Sequence, residues 1–169
     1  MTLRRWTATT AITAMMLALS ACGGDESVAP PPPPQAISAE AVGHYCGMML
    51  QDHAGPKGQI FVKGRAEPVW FSSIKQVFAY TLLPEEPKGL AAIYVNDMAA
   101  AGPDGAADLK AWVDARQAFY VIGSRFIGGM GAEDAMPFSD QTRALAFAQT
   151  HGGRVVRFSD VPEDYVFAQ

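Results

Sequence analysis

Apolar residues fall into two stretches that read alike. In the first, Gly58-Gln59-Ile60-Phe61-Val62 is an apolar run of strand length and Pro68-Val69-Trp70-Phe71-Ser72-Ser73 is a second extended piece. Ile74, Val77, Phe78 and Leu82 then recur at helical spacing, and residues 90–95 are apolar again. In the second, Ala118-Phe119-Tyr120-Val121-Ile122-Gly123 precedes Ala135-Met136-Pro137-Phe138-Ser139-Asp140. Ala144, Leu145, Phe147 and Ala148 follow in helical register, then Arg154-Val155-Val156-Arg157-Phe158. Both stretches predict strand, strand, helix, strand. A serine ahead of Ile74 and Asp140 ahead of the second helix are expected to accept amide protons of the first turn. Pro84 and Gly152-Gly153 are expected to end the two helices. Aligning the stretches puts Phe71 and Phe138 in matching positions, predicted to be buried. One such unit cannot bury both faces of its sheet. The two, about residues 40–98 and 112–160, are therefore expected to pack together as an α+β fold, joined by the Gly-, Ala- and Pro-rich residues 99–108. A concave site is expected at the seam between them.

The pattern ahead of this region is of another kind. Arg4 and Arg5 precede an apolar run over residues 8–21 that closes with Leu19-Ser20-Ala21-Cys22. A basic start, a short apolar stretch and small residues before a cysteine predict a signal peptide over residues 1–21 and a lipobox, with Cys22 the acylated first residue of the mature chain. Gly23 and Gly24 in place of an aspartate favour transfer to the outer membrane. Residues 22–35 then form a lipid-bearing spacer whose five prolines, Pro30 to Pro34, predict a stiff extended stalk that lifts the folded part off the membrane. Residues 36–169 are left to fold. Net charge is −4 and the basic residues are scattered, so neither nucleic acid nor an anionic lipid surface is an expected partner. The membrane is met through the anchor only.

Composition matters most for cysteine. The chain has two, and lipid on Cys22 leaves Cys46 as an unpaired thiol in an exported, oxidising setting. Its surroundings, His44-Tyr45-Cys46-Gly47-Met48-Met49, combine imidazole, thiol and two thioethers. Thiolate and thioether are soft donors that suit Cu(I), whereas zinc asks for more cysteine, histidine or carboxylate than is grouped here. Cys46 and Met48 are thus candidate ligands. Met98, just past Asn96-Asp97 at a strand end, is the candidate third, and Met49, Met130 in Gly128-Gly129-Met130-Gly131 and His44 are auxiliary candidates. Met136 is expected to be a core residue. No nucleophile elbow, P-loop or dinucleotide fingerprint occurs, so an enzyme is disfavoured. The alternatives are a thiol protein using Cys46 as nucleophile, with His44 the one nearby base, and a metal-free scaffold.

The blocks His44-Tyr45-Cys46-Gly47-Met48, Gly55-Pro56-Lys57-Gly58-Gln59, Tyr94-Val95-Asn96-Asp97-Met98, Phe119-Tyr120-Val121-Ile122-Gly123-Ser124 and Gly129-Met130-Gly131-Ala132, in this order behind a lipobox, resemble the NosL family. These are accessory lipoproteins of nitrous oxide reductase. The resemblance implies a periplasmic Cu(I) chaperone that delivers copper for assembly of the reductase, handing it to membrane-associated maturation proteins. It further implies paired ββαβ units like part of the organomercurial lyase, and Cys46 as the thiolate ligand.

Overall fold

Short, largely buried strands build two antiparallel sheets in this computed structural model, which describes residues 30–102 and 106–168. The expected signal peptide and Cys22 lie outside the described residues. In chain order the elements are β1 (Gly58–Val62), β2 (Val69–Phe71), α1 (Ile74–Leu82), β3 (Leu90–Asn96), β4 (Trp112–Asp114), β5 (Phe119–Ile122), β6 (Met136–Phe138), α2 (Gln141–His151), β7 (Arg154–Arg157) and α3 (Glu163–Phe167). The first sheet has the order β2-β1-β3-β4 and the second β6-β5-β7. The sequence strand, strand, helix, strand therefore occurs twice, and each time the first strand lies between the other two. Phe71 and Phe138 each end the second strand, opposite the first residue of the strand before: Phe71 faces Gly58 and Phe138 faces Phe119. Both are buried.

Two elements were not foreseen. β4 adds an edge to the first sheet, and α3 closes the chain. Three residues are too few to show a period, and α3 shows one buried side chain, Val166, so neither leaves a pattern in the sequence.

The principal core draws on both halves: Ile60, Phe71, Ile74, Phe78 and Ile93 from the first cluster with Ala118, Tyr120, Ile122, Ala135 and Val156 from the second. Tyr120 sits edge-on to Phe78 with ring centroids 5.0 Å apart, so aromatic side chains fill the seam. A smaller core gathers Met98, Val121, Met136, Phe138 and Ala144. Met136 is 1% exposed there, as its expected core role requires. Met136→Ala should lower stability by about 2–3 kcal/mol through the cavity it leaves, read as a shifted midpoint in chemical denaturation.

The helix caps differ from expectation in one case. Asp140 accepts a hydrogen bond from the Arg143 amide, as the spacing predicts. Ser73, ahead of α1, does not cap; its hydroxyl donates to Asp134, and Asp134 accepts the amides of Ile74 and Lys75. A fully buried carboxylate from the second half takes the first-turn donors that a short serine side chain would otherwise serve. Burial raises the Asp134 pKa above the ordinary carboxylate value, against the pull of these hydrogen bonds.

Candidate metal centre

Residues 42–49 fold back on themselves. Val42 pairs with Met49 in an antiparallel bridge, the Gly43 amide donates to the Met48 carbonyl at 2.9 Å, and the Gly47 amide donates to the Gly43 carbonyl at 2.7 Å. Gly47 turns the chain at φ 65°, a left-handed conformation that glycine adopts without a Cβ penalty. The hairpin is fixed to the first sheet where the His44 amide donates to the Trp70 carbonyl at 2.8 Å.

Its geometry aims the thiol inward. Cys46 is half-buried, with Sγ 3.3 Å from Ser72 Oγ and 3.9 Å from the Gly43 carbonyl. A Cβ on Gly43 would fall 2.5 Å from that sulfur, so a glycine is required for the thiol to lie across the hairpin. Ser72, just ahead of α1, donates in turn to Gln76 at 3.3 Å. Met48 and Met49 belong to the same hairpin and are 44% and 38% exposed, so both residues reach solvent on the hairpin that carries the one free thiol of the described residues.

The flanking polar groups serve to hold this loop. His44 Nε2 lies 3.2 Å from Glu86 Oε1, and the Tyr45 hydroxyl donates to the same oxygen at 2.8 Å. The His44 ring packs edge-on to Tyr80 and Phe71, with centroids 5.5 Å and 6.0 Å away. Burial, and then the hydrogen bond to Glu86, push the Tyr45 pKa well above the usual phenol range. His44 thus has its Nε2 engaged with a carboxylate. Among the described residues, the hydrogen-bond partners of the thiol are the Ser72 hydroxyl and the Gly43 carbonyl.

Met130 lies on a separate turn in which the Gly128 amide donates to the Ala132 carbonyl at 2.8 Å, and its side chain is 40% exposed. This turn rests on the segment that follows the Cys46 hairpin: His53 Nδ1 lies 3.0 Å from the Gly129 carbonyl, and a Cβ on Gly129 would meet the Ala54 carbonyl oxygen at 2.5 Å. Lys57, fully buried, fastens the same segment through ammonium donors to the carbonyls of His53, Ala54 and Gly55. Burial lowers its pKa to about 8, which leaves it protonated at neutral pH.

Met98 is placed differently from Met48. The sequence puts it where a strand meets a loop, but the side chain is 6% exposed and packs with Val121, Met136 and Phe138 in the smaller core. Asp97 is the cause: its carboxylate accepts from the amides of Ala99 and Ser139, which fixes a tight turn over Met98–Ala100 and turns Met98 inward. The structure thus brings Cys46 and Met48 onto one hairpin and leaves Met98 in the core.

Gly43, Ser72 and Glu86 were missed by the sequence reading. Ser72 is 26 residues from Cys46 and Glu86 is 42 from His44, so no local spacing could have shown these two, whereas Gly43 is only three residues from Cys46 and its role depends on how the hairpin folds. Among the described residues no three of histidine, cysteine, aspartate and glutamate gather as a metal-holding group.

The comparisons agree with one another. The NosL family profile matches residues 34–166. The copper-binding lipoprotein NosL of Achromobacter cycloclastes is 43% identical over 157 residues, covering 92% of this chain and 80% of that protein. The copper-binding lipoprotein NosL of Stutzerimonas stutzeri is 35% identical over 152 residues, covering 89% and 78%. The crystal structure of the copper chaperone NosL from Shewanella denitrificans superposes with a TM-score of 0.73 at 33% identity, covering 79% of this chain and 98% of that one. With a family match across the whole folded region and two relatives above one-third identity, the chain belongs to the NosL family.

Proposed function

We propose that this protein is a lipid-anchored periplasmic Cu(I) chaperone that carries copper as cargo for the maturation of nitrous oxide reductase, and that it is not an enzyme. The observation that carries the reading is the Cys46 hairpin: a half-buried thiol for which Gly43 leaves room, on a turn that also carries the exposed Met48 and Met49. A thiolate with one or two thioethers gives a soft, low-coordinate site, which holds Cu(I) yet leaves room for an acceptor's sulfur during handover. The names of the relatives, copper-binding lipoprotein and copper chaperone, support the same cargo. The ligands proposed are Cys46, Met48 and Met98, and for Met98 to join the other two its thioether has to leave the smaller core. The acceptors proposed are the reductase and its membrane-associated maturation proteins. The likeness to part of the organomercurial lyase is proposed from the family resemblance, and the repeated strand, strand, helix, strand order supports it.

Titration of the reduced mature domain with Cu(I) against a competing chelator is the test. Tight binding at one site supports the chaperone; an absence of binding leaves a thiol protein using Cys46 or a metal-free scaffold. Thiolate binding displaces a proton, so affinity should fall as the pH is lowered.

The anchor is tested separately. Cys22→Ser should leave the precursor unprocessed or released from membranes, with Cu(I) binding by the purified domain unchanged; membrane association that survives the change would refute acylation at Cys22. No helix among the described residues is long and apolar enough to cross a membrane.

A further inference from the structure

The outer face of the first sheet is met by the chain's own proline run at Gln59 and Tyr94. β1 is buried at all five positions, although only alternate residues of a strand can face one core. Ile60 and Val62 join the principal core; Gln59 and Phe61 point the other way and are still 0% and 3% exposed. Their cross-strand neighbours make this an aromatic face. Gln59 is paired with Trp70 on one side and Tyr94 on the other, Phe61 meets Tyr94 edge-on at 6.2 Å, and the Trp70 and Trp112 rings lie 6.2 Å apart.

Two groups on this face bond to the proline run. The Tyr94 hydroxyl donates to the Pro32 carbonyl at 2.8 Å. The Gln59 side chain makes a two-point clamp on Gln35, accepting from its amide at 2.8 Å and donating to its carbonyl at 3.0 Å. The held positions are 32 and 35, three apart. Over residues 30–35 these two are half-buried and the other four are exposed. Three residues is one turn of a polyproline II helix, so a run of this kind shows one edge to a surface and the rest to water. Proline-rich segments dock on aromatic faces because little conformational freedom is left to lose, and their carbonyls, free of internal hydrogen bonds, are open to side-chain donors.

We propose that the Gln59–Trp70–Tyr94 face of the first sheet is a polyproline-binding surface, occupied in cis by residues 31–35. The proline run is then a strap laid on the domain, and the free stalk expected from its composition ends where the strap begins. The occupant is recognised by a carbonyl at one position and a backbone amide and carbonyl three residues later. The proposal is independent of the copper site.

Prolines carry no amide hydrogen, which makes the Gln35 amide the natural reporter. In the full mature chain, amide exchange followed by NMR should show Gln35 exchanging about tenfold or more slowly than an unstructured amide, since its donor is held by Gln59. Gln59→Ala should return it to the unstructured rate. Because Gln59 is buried and its loss could loosen the sheet, a second variant changes only the strap: replacing Pro31, Pro32, Pro33 and Pro34 by glycine should speed Gln35 to the same extent while core amides of β1 and β3 keep their protection. Unprotected Gln35 in the wild type overturns the proposal, and so does protection that survives the glycine variant, because stiffness would then play no part. Protection that falls on dilution would place a second copy's run on this face and would overturn occupancy in cis.

Discussion

Cys46→Ser is expected to weaken Cu(I) binding by roughly a hundredfold or more, because it removes the only thiolate of the folded region and leaves neutral donors for a cation. The fold should survive. Cys46 is half-buried rather than sealed in the core, and serine can take up the hydrogen bond to Ser72. Chelator competition reads the affinity and circular dichroism the fold. Met48→Ala should cost less affinity, since a thioether contributes less to a cation than an anionic sulfur does. Met98→Ala separates two roles for one side chain: lost affinity at unchanged stability would assign it to copper, and lost stability at unchanged affinity would assign it to the smaller core, where it is packed. Cys46→Ser binding as tightly as the wild type would end the chaperone reading at its central residue.

Asp134→Ala should be the most damaging change to stability, on the order of 4 kcal/mol. The carboxylate accepts from the amides of Ile74, Lys75 and Ala135 and from the Ser73 hydroxyl, and its removal strands these donors, most of them in a buried environment. Denaturant unfolding measures the loss. The pH dependence distinguishes capping from mere volume. Burial raises the folded pKa of Asp134 above its unfolded value. A group shifted in that direction contributes stability fully present below the unfolded pKa and lost as pH rises through the folded one. Asp134→Asn, which cannot titrate, should lack that part of the slope; an identical slope would show that the carboxyl does not titrate with folding.

The same carboxylate shows where sequence reading stops. Apolar spacing placed β1, α1, β5 and α2, and Phe71 and Phe138 could be matched by alignment because strand and helix periods are local. Asp140 was legible as a cap for the same reason: its acceptor and donor lie three residues apart. Asp134 reaches α1 across 60 residues, and Ser72 reaches Cys46 across 26, so these partners exist only once the halves have packed. Of the candidate ligands, Cys46 and Met48 could be read as a pair because one short hairpin holds both. Met98 could not be placed, since its direction is decided by what the Asp97 carboxylate binds.

The strand orders carry a consequence for life at high local density. Edges of the two sheets are β2, β4 and β6 at three residues each and β7 at four. β6 carries Pro137, which has no amide to offer, and β7 is bracketed by Arg154 and Arg157. Such edges give an incoming strand little backbone to pair with and a charge or proline to evade. On the proposed lipid anchor, copies gathered in two dimensions would meet far more often than copies free in solution, and short, interrupted edges would let them do so without templating aggregation.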